Sequence, residues 1–335
     1  MYKMSVIIPC YNARDTIAKT LHSIAMQSIA DEIEVVIVND ADGISYTDIL
    51  GQFTDLHIKY VTNPENRGCA GARNTGIRNA TADFCTFVDS DDTLSNCITL
   101  EIMYNKIKAE KADMLAGDFE SEMRQDNGIA IKKMERSPVW CHNKFYRRQF
   151  LLDNNLFFNE NLRICEDTEF HQLLIDMGGK VAYTPFCGYM WRDNQKSVTH
   201  ESLYKNKWWF VKAATEYLRE CKERGIGGEK VVHRTLQNLV VAYEYYNIVL
   251  DDTPENKDDY SSYASDGTTV VKERCSFEGP IDVNGVACTW SAVLSYDYTT
   301  QIVTGNLNDT VRIIYVYISE NVEPEPAPEE TPYAQ

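Results

Sequence analysis

The feature that most constrains this chain is a repeated pairing in its first hundred residues. A wholly apolar run stops abruptly at polar or acidic residues, and a segment of different periodicity follows. "MSVIIPCY" ends at Asn12 and is followed by "DTIAKTLHSIAMQS", where Ile17, Leu21, Ile24 and Ala25 fall at helical spacing and Asp15 is placed to cap. "EIEVVIVND" ends at Asp40, "DLHIKYVTN" precedes the glycine-rich "GCAGARNTGIRNA", and "ADFCTFVDSDD" ends in three carboxylates. Strands buried on both faces read as continuous apolar runs. Their alternation with helices implies a mostly parallel, Rossmann-like sheet with helices on both faces. Ligands of such sheets bind beyond the carboxyl ends of the strands. Asn12, Asp40, Asn66 and Asp89 to Asp92 all lie there, so one pocket can collect them.

The pattern extends to about residue 200. Residues 201–250 are helical by pattern and interrupted near "RGIGGEK". "DDTPENKDDYSSYASD", residues 251–266, reads as a polar linker. Residues 267–320 change character. "TTVVKERCSF", "GVACTWSAVLSYDYTTQIVTG" and "DTVRIIYVYIS" are rich in β-branched and aromatic residues and suggest a small all-β module. Residues 321–335 form a Pro/Glu-rich tail expected to be extended or disordered.

Composition narrows the classes further. The chain is 44% hydrophobic, enough for a sizeable core, yet no apolar run reaches the roughly 18 residues of a membrane-spanning helix. Its start reads as a first strand, not a secretory signal. Ten cysteines lack metal-ligand or disulfide spacing, which suits a reducing cytoplasm. The formal charge is −17, and 16 acidic against 4 basic residues lie from Asp251 onward, leaving 34 against 29 before it. Such a surface repels a phosphate backbone, so no nucleic-acid partner is expected.

Six strings carry the chemistry, in order: "SVIIPCYNA", "VIVND", "NRGCAGARNTG", "FVDSDD", "NKFYRR" and "CEDTEF". In order and spacing they resemble the family 2 glycosyltransferases of the GT-A fold, over residues of about 4 to 200. The resemblance implies a hexosyltransferase-type enzyme that takes a sugar from a nucleotide-diphosphate donor. It does not reach the β module.

Each string also has its own reading. Three carboxylates in four positions of "FVDSDD" suit a hard divalent cation, Mn²⁺ or Mg²⁺, shared with a diphosphate; "DDTLSN" can equally open a helix whose first turn favours acids. The resemblance makes Asp91 the metal ligand and sets Asp89 nearer the ribose. Asp40 can accept from the imide N–H of uracil or shape a turn in "NDADG", where Asp42 and Gly43 stand one step from the family's usual turn. Pro9, Tyr11 and Asn12 belong to the same nucleotide site by resemblance, as do Asn66, Gly68 and Arg73, while Arg67 and Arg78 read as surface charges. Asp167 of "CEDTEF" is the family's general base, with Glu166 beside it; isolated, the pair would read as helix capping. Trp140 sits where it can wall the acceptor side or fill the core. In "YMWRDNQKSVTH", Arg192, Lys196 and His200 can reach a diphosphate, and His200 can complete the metal shell.

The expected enzyme is inverting and metal-dependent, and moves a single sugar from a UDP-sugar to a hydroxyl of a glycan or other acceptor. The Gln-x-x-Arg-Trp string of processive synthases is absent. It is expected to be cytoplasmic or peripheral at a membrane. A nucleotidyltransferase would carry a glycine-rich basic loop where this chain has "IPCYNARDT". A binding or assembly protein acting through the β module, by a protein partner or self-association, is the alternative from another class.

Overall fold

The computed structural model describes residues 2–125, 128–137, 139–194 and 208–227, the positions 231 and 234–235, and the backbone of five strands beyond residue 262. The chain divides into two compact units: residues 1–209 with 213–227, and residues 210–212 with 228–335.

The first unit is built on one sheet. Its strands are β1 (Met4–Cys10), β2 (Ile33–Asn39), β3 (His57–Thr62), β4 (Phe84–Phe87), β5 (Thr93–Leu94), β6 (Met114–Gln125), β7 (Gly128–Met134), β8 (Lys144–Arg147) and β9 (Val181–Trp191). The helices are α1 (Ile17–Ala25), α2 (Thr47–Leu50), α3 (Gly68–Asn79), α4 (Thr99–Glu110), α5 (Arg148–Asp153), α6 (Glu166–Asp176) and α7 (Trp208–Glu223). The sheet order is β3-β2-β1-β4-β8-β6-β9-β5, with β7 paired to β6.

All seven residues of β1 and of β2 are buried, as continuous apolar runs require, whereas edge strand β3 is largely exposed. β1 pairs in parallel with β2 and β4, and β2 with β3. Beyond β4 the expected parallel order gives way. β8 runs antiparallel to both β4 and β6, and β9 runs parallel to β6. β6 and β7 pair as an antiparallel hairpin in which Gln125 faces Gly128, a stretch to which the sequence pattern assigned no element. Parallel pairing needs a long crossover, but a hairpin needs only a turn.

Alternate residues of the central strands face opposite layers. Val6, Ile8, Val35 and Ile37 pack with Leu21 and Ile24 of α1 and with Leu100, Met103 and Ile107 of α4. On the other face, Gly76 of α3 lies so close to β1 that a Cβ there would sit 2.2 Å from Ile7 Cγ2. Two local expectations change. α1 starts at Ile17 after Thr16, with no side-chain cap, so Asp15 does not cap it. Thr93 and Leu94 form β5 against β9, and α4 starts only at Thr99, so the acidic cluster does not open a helix.

Eight described cysteines are free thiols. Among the described residues no helix is long and apolar enough to cross a membrane. In the second unit, Gly279–Val283, Val286–Tyr296 and Val311–Glu320 form an antiparallel three-stranded sheet, and Tyr263–Ala264 pairs with Val271–Lys272. Most of the expected linker and all of the tail lie outside the described residues.

Gly76→Ala should destabilise the first unit by about 1–3 kcal/mol, because overpacking against Ile7 outweighs the roughly 1 kcal/mol helix preference of alanine. Urea unfolding measures this. Combining it with Ile7→Ala should cost less than the sum of the two single changes.

Candidate active site

The strand ends converge as loops held by carboxylates. After β1, Asn12 takes a positive φ of 51°, and after β2, Ala41 takes one of 58°. Asp42 ties the two loops together: it accepts from the Asn12 N–H at 2.9 Å, the Ile44 N–H at 2.8 Å, Asn39 Nδ2 at 2.9 Å and the Tyr46 hydroxyl at 2.6 Å. Burial pushes the Asp42 carboxyl up, but these bonds outweigh it and leave it below the usual range. Asp40 is buried; Oδ1 accepts from Asn63 Nδ2 at 2.7 Å, and both oxygens accept from the Arg67 N–H at 3.0 Å. Asp40 thus fixes the entry to α3, where Asn66 Oδ1 accepts from the Gly68 N–H at 3.1 Å and Gly68 sits at φ 71°. Pro9 is buried inside β1, whereas Tyr11 is exposed. Arg67 pairs with Glu160 at 2.6 Å.

Beyond β4 lie the three carboxylates. Asp89 accepts from Arg73 Nη2 at 3.0 Å. Asp91 accepts from Asn194 Nδ2 at 2.7 Å. Asp92, buried, accepts from the Tyr189 hydroxyl at 2.6 Å and from the Arg192 N–H at 2.8 Å. The Arg192 guanidinium turns to Glu122 at 2.7 Å. Burial, then repulsion from Asp89, holds both Asp91 and Asp92 above the usual carboxyl range.

Asp89, Asp92 and His142 bring one ligand atom each within 4.8 Å of one another. Burial pushes the His142 ring down to about 4, so it is neutral, and its Nδ1 is buried without a hydrogen bond. A neutral imidazole without a partner at that nitrogen, beside carboxylates that repel each other, is a donor set that suits a divalent cation. His200 and Lys196 lie outside the described residues.

Arg73 joins this cluster to the second half of the site. It is buried, with Nη1 donating to Glu166 Oε1 at 2.8 Å, Nη2 donating to Asp89, and its guanidinium 5.3 Å from the Phe158 ring centre. Its charge is thus spent inside the protein, between the acidic cluster and α6. Glu166 and Asp167 open α6 after Cys165, which has a positive φ of 65° and makes no side-chain capping bond. Burial, added to by Asp167 and opposed by Arg73, pushes Glu166 up to about 7. Asp167 is also raised by burial, although Arg73, the Thr168 N–H and Lys144 favour its charged form. Its Oδ1 accepts from the Thr168 N–H at 2.7 Å. Burial holds the Lys144 ammonium down at about 8, and its Nζ donates to the Trp140 carbonyl. Trp140 itself is 43% exposed, edge-on to Phe119 at 5.9 Å.

Residues 5–162 match the family described as Glycosyl transferase family 2. This stretch is a family 2 glycosyltransferase domain. The chain is 37% identical over 121 residues to glycosyltransferase GlyA of Streptococcus pneumoniae, covering 36% of this chain and 17% of that protein. It is 31% identical over 187 residues to the poly(ribitol-phosphate) β-N-acetylglucosaminyltransferase TarS of Staphylococcus aureus, covering 51% of this chain and 32% of that one. The structure of TarS residues 1–349 with UDP-GlcNAc aligns with a TM-score of 0.59 at 21% identity, over 77% of this chain and 78% of that one. The mannosyltransferase PcManGT from Pyrobaculum calidifontis, in complex with GDP-Man and Mn²⁺, aligns at 0.53 and 17% identity, over 72% and 74%. The transferase domain therefore has the GT-A fold.

The structure ties Arg73, Asp89 and Glu166 into direct contact, with Asp91, Asp92 and Asp167 beside them in the chain. Asp42, His142, Lys144, Tyr189 and Asn194 were given no role from sequence. The only sequence signal for His142 and Lys144 was their place in "WCHNKFYRR".

Glu166 implies a pH dependence of stability. A carboxyl raised in the folded state stabilises it most fully below the unfolded value of about 4.5 and loses that contribution as pH rises through about 7. Without divalent cation, the unfolding free energy of the first unit should fall between pH 5 and 8. Glu166→Gln should remove on the order of 2–3 kcal/mol of that fall, since each tenfold change in proton affinity is worth about 1.4 kcal/mol. Asp91, Asp92, Asp167 and Glu169 are raised too, so the slope should shrink without vanishing. Urea titrations at several pH values measure it; an unchanged slope in Glu166→Gln contradicts the assignment.

Proposed function

We propose that the domain is a metal-dependent, inverting glycosyltransferase that moves one sugar from a UDP-sugar to a hydroxyl of a glycan, in glycan or surface polysaccharide synthesis. The observation that carries this reading is the buried Arg73 bridge, which puts the strand-end carboxylates and the Glu166–Asp167 pair in one site. The donor site is assigned to Tyr11, Asn12, Asp40, Asn66 and Gly68, with Asp40 and the exposed Tyr11 framing the uracil. Asp91 remains the first candidate for the metal, and Asp89, Asp92 and His142 form the alternative ligand set. A bound Mn²⁺ or Mg²⁺ would offset the charge of the departing nucleoside diphosphate.

Asp167 acts as general base. It takes the proton of the acceptor hydroxyl as that oxygen attacks the anomeric carbon, the bond to the diphosphate breaks, and the configuration inverts. Its raised pKa moves it toward the value at which a carboxylate is an effective base near neutral pH. Trp140 walls the acceptor side, and Glu166 orients the acceptor through its fixed place against Arg73. The catalytic machinery is assigned to residues 1–200 and a cytoplasmic setting with peripheral membrane contact, while the β module serves binding or self-association.

UDP should bind more tightly with Mn²⁺ than in EDTA. Asp91→Asn should weaken binding in Mn²⁺ by about tenfold or more and leave it unchanged in EDTA, as measured by titration calorimetry. Equal losses in both buffers would remove Asp91 from the ligand set. The same comparison on His142→Gln discriminates between the two sets.

Asp167→Asn keeps the side-chain shape and removes the proton acceptor. Turnover of a UDP-sugar should fall by about 10²- to 10⁴-fold with UDP affinity nearly unchanged, whereas Glu166→Gln should be milder. A near wild-type rate for the Asn variant, measured by UDP release, would exclude Asp167 as the base.

A further inference from the structure

His171 and Tyr146 have no role in the reading above, yet both are wholly buried beside it. His171 stands one helical turn after Asp167 on α6. Its Nδ1 lies 2.7 Å from the carbonyl oxygen of Val139 and 2.6 Å from that of Asp167, and its Nε2 lies 2.6 Å from the Tyr146 hydroxyl. Carbonyl oxygens only accept, so Nδ1 carries the proton. Nε2 is then a lone pair and accepts from the Tyr146 O–H. Burial, followed by the Lys144 ammonium, holds the ring well below its usual pKa, in keeping with this neutral tautomer. The two rings stack at 5.8 Å and 25°.

Tyr146 belongs to β8, where it pairs with Cys85 of β4, and its ring meets that of Phe87 at 5.3 Å, two residues before Asp89. The Val139 carbonyl belongs to the segment that carries Trp140 and His142. One imidazole therefore joins the first turn of the helix bearing Asp167, the segment carrying Trp140, and the strands beside the acidic cluster. Lys144 holds the same segment through the Trp140 carbonyl.

We propose that His171, oriented by Tyr146, is a positioning residue that locks the Val139–His142 segment to the first turn of α6, keeping the acceptor wall in register with the base. The inference rests on the reading of Asp167 as base and Trp140 as acceptor wall. Neither His171 nor Tyr146 touches the reacting atoms. Their effect is geometric, and a displacement of about 1 Å at a reacting pair can cost about 10²-fold in rate.

The test uses the full chain with Mn²⁺ and two probes, UDP-GlcNAc and UDP-glucose, with water as acceptor. It compares His171→Asn, whose amide nitrogen can stand where Nδ1 stood, with His171→Leu, which has no donor, and with Tyr146→Phe. UDP affinity should stay within about twofold in all three. The kcat for donor hydrolysis should fall about 30-fold in the Leu variant, about threefold or less in the Asn variant, and between the two in Tyr146→Phe. Hydrogen exchange of a peptide spanning residues 139–143 should quicken in the Leu variant and not in the Asn variant. Equal rates and equal exchange in the Leu and Asn variants, or a loss that appears in UDP affinity instead of kcat, overturn the inference. If the wild-type protein hydrolyses neither donor, the UDP-sugar reading fails, and the exchange comparison alone decides whether His171 locks the segment.

Discussion

The site depends on one buried guanidinium. Burying the Arg73 charge costs several kcal/mol, and only well-placed opposite charges offset that. Asp89 and Glu166 supply them at 3.0 and 2.8 Å, from two elements 77 positions apart in the chain. The pairing fixes the distance between the end of β4 and the start of α6, the two places to which the proposed chemistry is assigned. Arg73 Nε remains buried without a hydrogen bond, an expense on the order of 1–3 kcal/mol that a purely structural bridge would be expected to avoid. Aromatic packing reinforces the bridge: Phe158, under Arg73, stacks on Phe170 of α6 at 4.0 Å, and Phe87 meets Phe158 edge-on at 5.2 Å.

Around that bridge the site is short of positive charge. Asp91, Asp92, Glu166 and Asp167 are all raised by burial, and each faces at least one other carboxylate. Lys144, the other buried cation here, is itself pushed down to about 8 and donates to a carbonyl instead of a carboxylate. A cluster whose carboxyls hold protons more tightly than usual gains affinity for a divalent cation as pH rises, because the ion replaces the protons. The same imbalance disfavours anionic ligands unless the cation accompanies them, as a nucleoside diphosphate bound with a metal would require.

Much of this was legible in the sequence. The apolar runs of β1 and β2, ending in Asn12 and Asp40, and the "FVDSDD" string announce their strands because burial on both faces leaves no room for polar alternation. The β6–β7 hairpin was not legible. Its strands "MLAGDFESEMRQ" and "GIAIKKM" mix charged and apolar residues, because β7 is exposed and Asp118 and Glu122 of β6 serve ion pairs. The reading of Asp167 as a base rests on the order of the motifs and not on its local sequence. Cys165 holds the N-cap position in a left-handed conformation without a side-chain bond, while Asp167 Oδ1 accepts from the Thr168 N–H of the first turn. His142, His171 and Tyr146 left no local signal, because the partners that link them to the rest of the site lie 25 or more residues away.

The mixed half of the sheet beyond β4 is what completes the site. Strands β1 to β4 alone would present Asp89 to Asp92 at a bare strand end. Here the Asp89 N–H donates to the Tyr189 oxygen at 3.2 Å while the Tyr189 O–H donates to Asp92 at 2.6 Å, so one side chain of β9 satisfies both ends of the acidic turn. The Arg192 N–H and Asn194 Nδ2, just past β9, donate to the other oxygen of Asp92 and to Asp91 Oδ2. β8 contributes Lys144 and Tyr146, and the segment before it contributes Trp140 and His142. β4 thus leads into the acidic turn, β9, which runs in the same direction as β4, orients it, and antiparallel β8 brings Lys144 and Tyr146 beside it. Strand β9 is held to β6 in parallel, and β6 to β8 antiparallel. A change in that register would therefore move Tyr189 and Tyr146 together, and with them both halves of the site that Arg73 holds in contact.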